Sequence, residues 1–212
     1  MIQLAKDFVT PAIDQDYFFK TFTGDCKGSD VELRRLFDFI DKSQLVDRTD
    51  KAAYILATIR HECGAPMAPR NEMLDDPNTP KDETPWVDES KLRYLKGMDV
   101  DYSYHPNTGF IYFGRGYVQL TWYSLYKLFG RVTGLDLVNN PDLLLVPEHA
   151  WTVLEIGMFR GLYTGYKMDQ FFYEKMSDYY NARKIINPQD YKTYQTVREY
   201  AIEFESALRY VG

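Results

Sequence analysis

Glu62 is the first residue whose setting suggests chemistry. Ile55, Ile59 and Glu62 are spaced i, i+4 and i+7, so on a helix the carboxylate continues an apolar stripe instead of joining a solvated face. Burial beside apolar groups disfavours the anion, and the negative end of the helix dipole disfavours it further; both effects raise the expected pKa. A carboxyl still protonated near neutral pH is a general acid, able to protonate a leaving-group oxygen and worth about 10²- to 10⁴-fold in rate. The plainer alternative is a glutamate at a frayed helix end, turned to water or paired with Arg60 or Arg70. If the leaving group is a sugar, a second carboxylate must face the first across the scissile bond, about 6.5–9.5 Å away in an inverting pair that admits water. Glu72 is the nearest candidate in sequence, and Asp75, Asp76, Glu83 and Glu89 compete with it. An acidic, solvated loop would account equally well for each of them.

His61-Glu62 also invites a zinc reading, but the second histidine is missing: position 65 is Ala, and Gly64 and Pro66 interrupt the helix where the motif would continue. His105 and His149 lie far off with no ligand spacing, so no metal is expected, and His61 reads as an orienting or hydrogen-bonding side chain. Cys26 and Cys63 are too few and too far apart for a disulfide framework and read as buried thiols.

Three helices over residues 1 to 64 have to position Glu62. Ser29-Asp30 precedes Val31, Leu33, Leu36, Phe37 and Ile40, a capping residue before apolar positions at helical spacing. Asp50 is expected to cap a run from Lys51 to Cys63 that Gly64 closes. From about 65 to 121 the chain turns rich in proline, Asp and Asn and loses its period, which predicts a loop-rich lobe carrying function. Ile111 to Thr121, around Gly114 and Gly116, predicts a short strand or tight turn. Further helices are expected over Trp122–Val132, Pro147 to about Leu162, Met168–Tyr180 and Tyr191–Val211. The expected architecture is a mostly α single domain spanning residues 1 to 212.

Composition narrows the partners. The 212 residues carry a formal net charge of -6, which repels phosphate backbones and anionic lipid, so neither nucleic-acid binding nor membrane insertion is expected. The 18 Tyr, 13 Phe and 3 Trp suit either a dense core or a surface that stacks on sugars. Trp122 and the tyrosines around it read as core. The first residues, Met-Ile-Gln-Leu-Ala-Lys-Asp, lack the basic start and apolar run of an export signal, so the expected location is cytoplasmic until release.

Two stretches give a family resemblance. Tyr112-Phe113-Gly114-Arg115-Gly116-Tyr117-Val118-Gln119-Leu120-Thr121 is followed by Gly134-Leu135-Asp136-Leu137-Val138-Asn139-Asn140-Pro141-Asp142-Leu143, with His61-Glu62-Cys63-Gly64 upstream. Together they resemble glycoside hydrolase family 19, the chitinases and phage-type endolysins of lysozyme-like fold, over roughly residues 50 to 145. Asn181 to Asn187 is a weaker echo. The resemblance implies Glu62 as general acid, Glu72 as base and Thr121 as the hydroxyl that holds the attacking water. It implies Tyr112, Gln119 and Asn187 as sugar-contacting residues, with His61 in the same cleft. Hydroxyl and amide groups both donate and accept, which suits water and N-acetyl groups. Arg115, between two glycines, is expected to tie its loop together through buried charge-assisted bonds.

The resemblance further implies hydrolysis of β-1,4 bonds between N-acetylated amino sugars with inversion, without a cofactor, by a monomer. Two thiols and the absence of an export signal favour the endolysin branch and a peptidoglycan chain as substrate. Chitin, and an inactive glycan-binding protein that kept the fold, are the alternatives.

Overall fold

The computed structural model describes residues 12–26, 28–71 and 107–211. They are mostly helical and fall into two compact units: one drawn from Met1–Met67 with Met158–Gly212, the other from Ala68–Gly157. The second unit overlaps the expected lobe and reaches beyond it to Gly157.

The first unit is organised around α3 (Thr49–Cys63), preceded by α1 (Gln15–Thr21) and α2 (Asp30–Lys42). Every α3 residue from Asp50 to Ile59 is buried, so this helix is enclosed all round rather than amphipathic. It packs along α7 (Tyr194–Ala207), and Ala52, Ala53, Ala57 and Ala201 are among the buried residues of the two helices. Phe18, Phe22 and Phe204 stack, with Phe22–Phe204 centroids 4.9 Å apart, and Phe37 meets Phe18 edge-on at 4.7 Å. A two-residue antiparallel pair, β1 (Ala12–Ile13) with β6 (Tyr210–Val211), sets Ala12 opposite Val211.

The expected caps of α2 and α3 work differently from the sequence reading. Ser29 is the residue before α2, but its hydroxyl donates to the Cys26 carbonyl and accepts no bond from a helix N–H. Asp50 lies inside α3, which starts at Thr49 after Arg48. Its carboxylate is instead an ionic hub: Arg48 Nε donates to it at 2.9 Å and Ser177 Oγ at 2.5 Å. Burial by itself would raise the Asp50 carboxyl, but the bonds from Arg48 and Ser177 outweigh it and hold the group below its ordinary value.

The helix expected over Met168–Tyr180 is replaced by a 3₁₀ turn (Met168–Gln170), a hairpin of β4 (Phe172–Tyr173) and β5 (Met176–Ser177), and the short α6 (Tyr179–Ala182). Arg48 Nη1 donates to the Glu174 carbonyl at 2.7 Å, and Glu174 turns at φ +48°. These long-range bonds hold the chain in a turn that local apolar spacing does not announce. The last expected helix is likewise shorter, Tyr194–Ala207, and gives way to β6.

In the second unit β2 (Arg70–Asn71) pairs antiparallel with β3 (Arg115–Gly116), and an isolated bridge joins Arg115 to Leu120. This is the tight turn expected over 111–121. It leads to α4 (Tyr123–Thr133), which Gly134 ends in the left-handed conformation at φ +77°. A 3₁₀ turn (Pro141–Leu145) precedes α5 (Pro147–Arg160), which begins on proline as expected. No helix among the described residues is long and apolar enough to cross a membrane.

Candidate active site

The end of α3 delivers Glu62 to a counter-ion that the spacing of its own helix does not reveal. Gly64 stops the helix at φ +73°, with its N–H donating to the Arg60 carbonyl at 3.1 Å. The Tyr54 hydroxyl, buried on the same helix, donates to the Ala182 carbonyl at 2.7 Å and so fixes the end of α6 beside α3. The next residue is Arg183, opening a 3₁₀ turn (Arg183–Ile185), and its Nη1 donates to Glu62 Oε1 at 2.6 Å. The Arg183 side chain is 3% exposed and that of Glu62 15%. Arg183 Nε also donates to Thr193 Oγ1 at 3.2 Å, and Thr193 Oγ1 donates to Asp190 Oδ2 at 2.8 Å. A second, longer ion pair joins Arg183 Nη2 to Asp190 Oδ2 at 3.8 Å.

The purely apolar setting expected for Glu62 is therefore corrected: its carboxylate is held by a buried guanidinium in a charge-assisted bond. Nor is the partner Arg60 or Arg70. Arg60 pairs with Asp25 at 3.7 Å and covers the Tyr200 ring at 5.1 Å. The sequence sign of Arg183 is its place inside the Asn181–Asn187 echo. His61 is half-buried, and burial together with the Arg183 charge pushes its imidazole below the ordinary value, so it is neutral near pH 7. Asn187 is exposed; its N–H donates to the Arg183 carbonyl at 2.9 Å and its Oδ1 accepts from the Gln189 N–H at 3.3 Å.

The second unit carries the remaining expected residues except Glu72, which lies outside the described residues, as do Asp75, Asp76, Glu83 and Glu89. Arg115 is the hub of its loop, as expected. Its Nε donates to Asp142 Oδ1 at 2.7 Å, its Nη1 donates to the Ile111 carbonyl and Tyr126 hydroxyl at 3.1 Å each, and its guanidinium stacks on Phe113 at 3.6 Å. Tyr112 is a buried scaffold residue. Its hydroxyl bonds Val138 and Thr108, and its ring meets Tyr123 and Tyr126 edge-on. The half-buried Gln119 turns at φ +51° and donates through Nε2 to the Arg70 and Gly116 carbonyls, at 3.2 and 3.1 Å. Thr121 Oγ1 donates to the Gln119 carbonyl at 2.8 Å, which leaves its oxygen lone pairs directed elsewhere.

Trp122 departs from its core expectation: it is 51% exposed and holds φ +77°, an uncommon conformation for a bulky side chain. Gly116 at φ +82° shows why its position excludes a side chain, since a Cβ there would meet the Leu144 carbonyl oxygen at 3.2 Å. Among the described residues no group of three or more His, Cys, Asp or Glu is arranged to hold a metal ion.

Glu62 is thus a carboxyl set in a buried ionic frame on a mostly helical chain. Comparison with known proteins finds a family match over part of the chain. Residues 95–154 match the family model for chitinase class I, glycoside hydrolase family 19. Endochitinase 1 of Theobroma cacao is 54% identical over 44 residues, 21% of this chain and 14% of that protein. An inactive chitinase-like protein of Hevea brasiliensis is 54% identical over 33 residues, 16% of this chain and 10% of that protein. The aligned part is thus a small fraction of these relatives' length.

The crystal structure of chitinase C from Streptomyces griseus aligns over 97% of this chain and 95% of its own, with 19% identity and a TM-score of 0.50. That likeness is one of fold, and it agrees with the mostly α, lysozyme-like architecture read from the sequence. These findings support the assignment to glycoside hydrolase family 19 that the motifs implied. The matched segment contains Tyr112, Gln119 and Thr121 but not Glu62.

Proposed function

We infer that this protein is a glycoside hydrolase that cleaves β-1,4 bonds between N-acetylated amino sugars, with chitin-type chains as its substrate. The observation that carries the reading is the Glu62–Arg183 pair, a carboxyl at the end of a buried helix fixed at 2.6 Å by a guanidinium. The chitinase class I segment over 95–154 supports the choice of substrate.

In this scheme Arg183 holds the resting carboxylate through Oε1, and Oε2 takes up from solvent the proton it then gives to the glycosidic oxygen. Negative charge develops on Glu62 as that proton leaves, and the adjacent guanidinium stabilises it without having to move. Glu72 acts as the base, taking a proton from a water held by Thr121, and the water attacks the opposite face of the sugar, inverting the anomeric carbon. Gln119 and Asn187 contribute amide groups for N-acetyl and hydroxyl recognition, and neutral His61 sits beside the acid. The reaction proceeds in a monomer and calls on no cofactor.

Peptidoglycan presents the same linkage chemistry and is the second reading. Similarity of this kind does not by itself decide turnover, because one of the matched relatives is an inactive chitinase-like protein. Purified protein is therefore assayed on chito-oligosaccharides and on purified sacculi, with product anomers followed by NMR. The expected result is release of reducing ends from chito-oligosaccharides as the α-anomer, reduced about 10²- to 10⁴-fold in Glu62→Gln. Cleavage of sacculi alone would move the assignment to peptidoglycan. Equal rates for wild type and Glu62→Gln would remove Glu62 from the mechanism.

A further inference from the structure

The turn that carries the counter-ion of Glu62 also carries a group of aromatic rings that the catalytic scheme leaves unused. Tyr191 is 68% exposed, and Tyr180 and Tyr166 are exposed as well. Tyr194 is buried beneath two of them: its ring centroid lies 5.2 Å from that of Tyr180, edge-on at 70°, and 5.4 Å from that of Tyr191, tilted at 36°. Its hydroxyl donates to the Pro188 carbonyl at 3.1 Å, which anchors it in the turn. Exposed large rings are ordinarily scattered, and a supported group of them marks a contact surface.

We propose that Tyr180 and Tyr191, backed by Tyr194, form a stacking platform for a sugar ring of a β-1,4-linked N-acetylated amino-sugar chain whose scissile bond lies at Glu62. Continuity with the acid argues for this occupant. Tyr194 follows Thr193, which accepts from Arg183 at 3.2 Å, and Arg183 holds Glu62 at 2.6 Å. Tyr191 follows Asp190, which receives the Thr193 hydroxyl at 2.8 Å. The segments that carry the rings and Glu62 are thus tied together by one hydrogen-bonded network. A pyranose presents an apolar C–H face that packs on a tyrosine ring while its hydroxyl and N-acetyl groups stay in water. Tyrosine suits the task because it loses little side-chain freedom on binding and adds a hydroxyl at the rim.

The proposal rests on the hydrolase reading, and its test separates the two. Binding of chitohexaose and chitotriose is measured calorimetrically on Glu62→Gln protein, with and without Tyr180→Ala and Tyr191→Ala. The expected result is hexamer affinity about three- to tenfold weaker for each alanine, a smaller loss with the trimer, and recovery with Tyr→Phe at the same positions. A general folding defect would weaken both oligomers alike and would not depend on ring retention. Unchanged hexamer affinity in Tyr180→Ala/Tyr191→Ala overturns the platform while leaving the hydrolase reading intact. Failure of the Glu62→Gln protein itself to bind either oligomer overturns both. Loss of self-association in the alanine variants, with glycan binding unaltered, would give the rings to a second copy of the chain and overturn the proposal.

Discussion

Replacing Arg183 with alanine tests the frame around the acid most directly. The substitution leaves Glu62, whose side chain is only 15% exposed, without the guanidinium that lies 2.6 Å away. Removing one partner of a buried ion pair costs about 3–5 kcal/mol because the other charge remains desolvated. Asp190, at 3.8 Å and more exposed, adds less than about 1 kcal/mol, and partial entry of water reduces the total. The expected net loss is about 3 kcal/mol, which for a chain of this length lowers Tm by about 6–12 °C. Thermal unfolding followed by far-ultraviolet circular dichroism measures it. Adding Glu62→Gln should restore about half of the loss, because the second change removes the uncompensated charge. An Arg183→Ala protein melting within about 1 °C of wild type, or a double variant no more stable than the single one, would refute the reasoning.

Arg115→Met should cost about 2–4 kcal/mol in chemical denaturation, since it strips bonds from buried carbonyls and the Tyr126 hydroxyl. Asp142→Asn, at the exposed end of the same pair, should cost less than about 1 kcal/mol, and the contrast between the two is the measurement. Gly116→Ala should destabilise by about 1–3 kcal/mol through its positive φ and the Leu144 carbonyl, whereas Gly134→Ala, with open space around its Cβ, isolates the conformational part. Asp50 sets an acid limit. Its folded-state carboxyl is held below the unfolded value, so its contribution is complete above the unfolded pKa of about 4 and disappears as pH falls through the lower folded one. In acid titrations Asp50→Asn should therefore flatten the loss of stability below about pH 4, and an unchanged profile would count against the hub.

Much of the helical frame was legible because its signals are local. The apolar positions of α2, the run into Gly64 at the end of α3, Gly134 after α4 and Pro147 at the start of α5 all depend on neighbours within a turn or two. The same holds for the turn at 111–121 and the role of Arg115, where two glycines flank a charged residue. Met168–Tyr180 was misread because its apolar residues suit a helix, while Arg48, far away in sequence, bonds the Glu174 carbonyl and holds a hairpin. Trp122 was misread as core because residue type carries no information on which side of a turn faces solvent.

Glu62 could be picked out from three positions on one helix, since helical periodicity places them on a common face whatever packs against it. Its electrostatic partner could not. Arg183 lies 121 residues further along and reaches the carboxylate only because Tyr54 ties α6 to α3 and the following turn points inward. Charge acts through space and periodicity acts along the chain. The place of Glu62 on its helix was therefore written in local spacing, while its ionic partner came from the packing of distant segments.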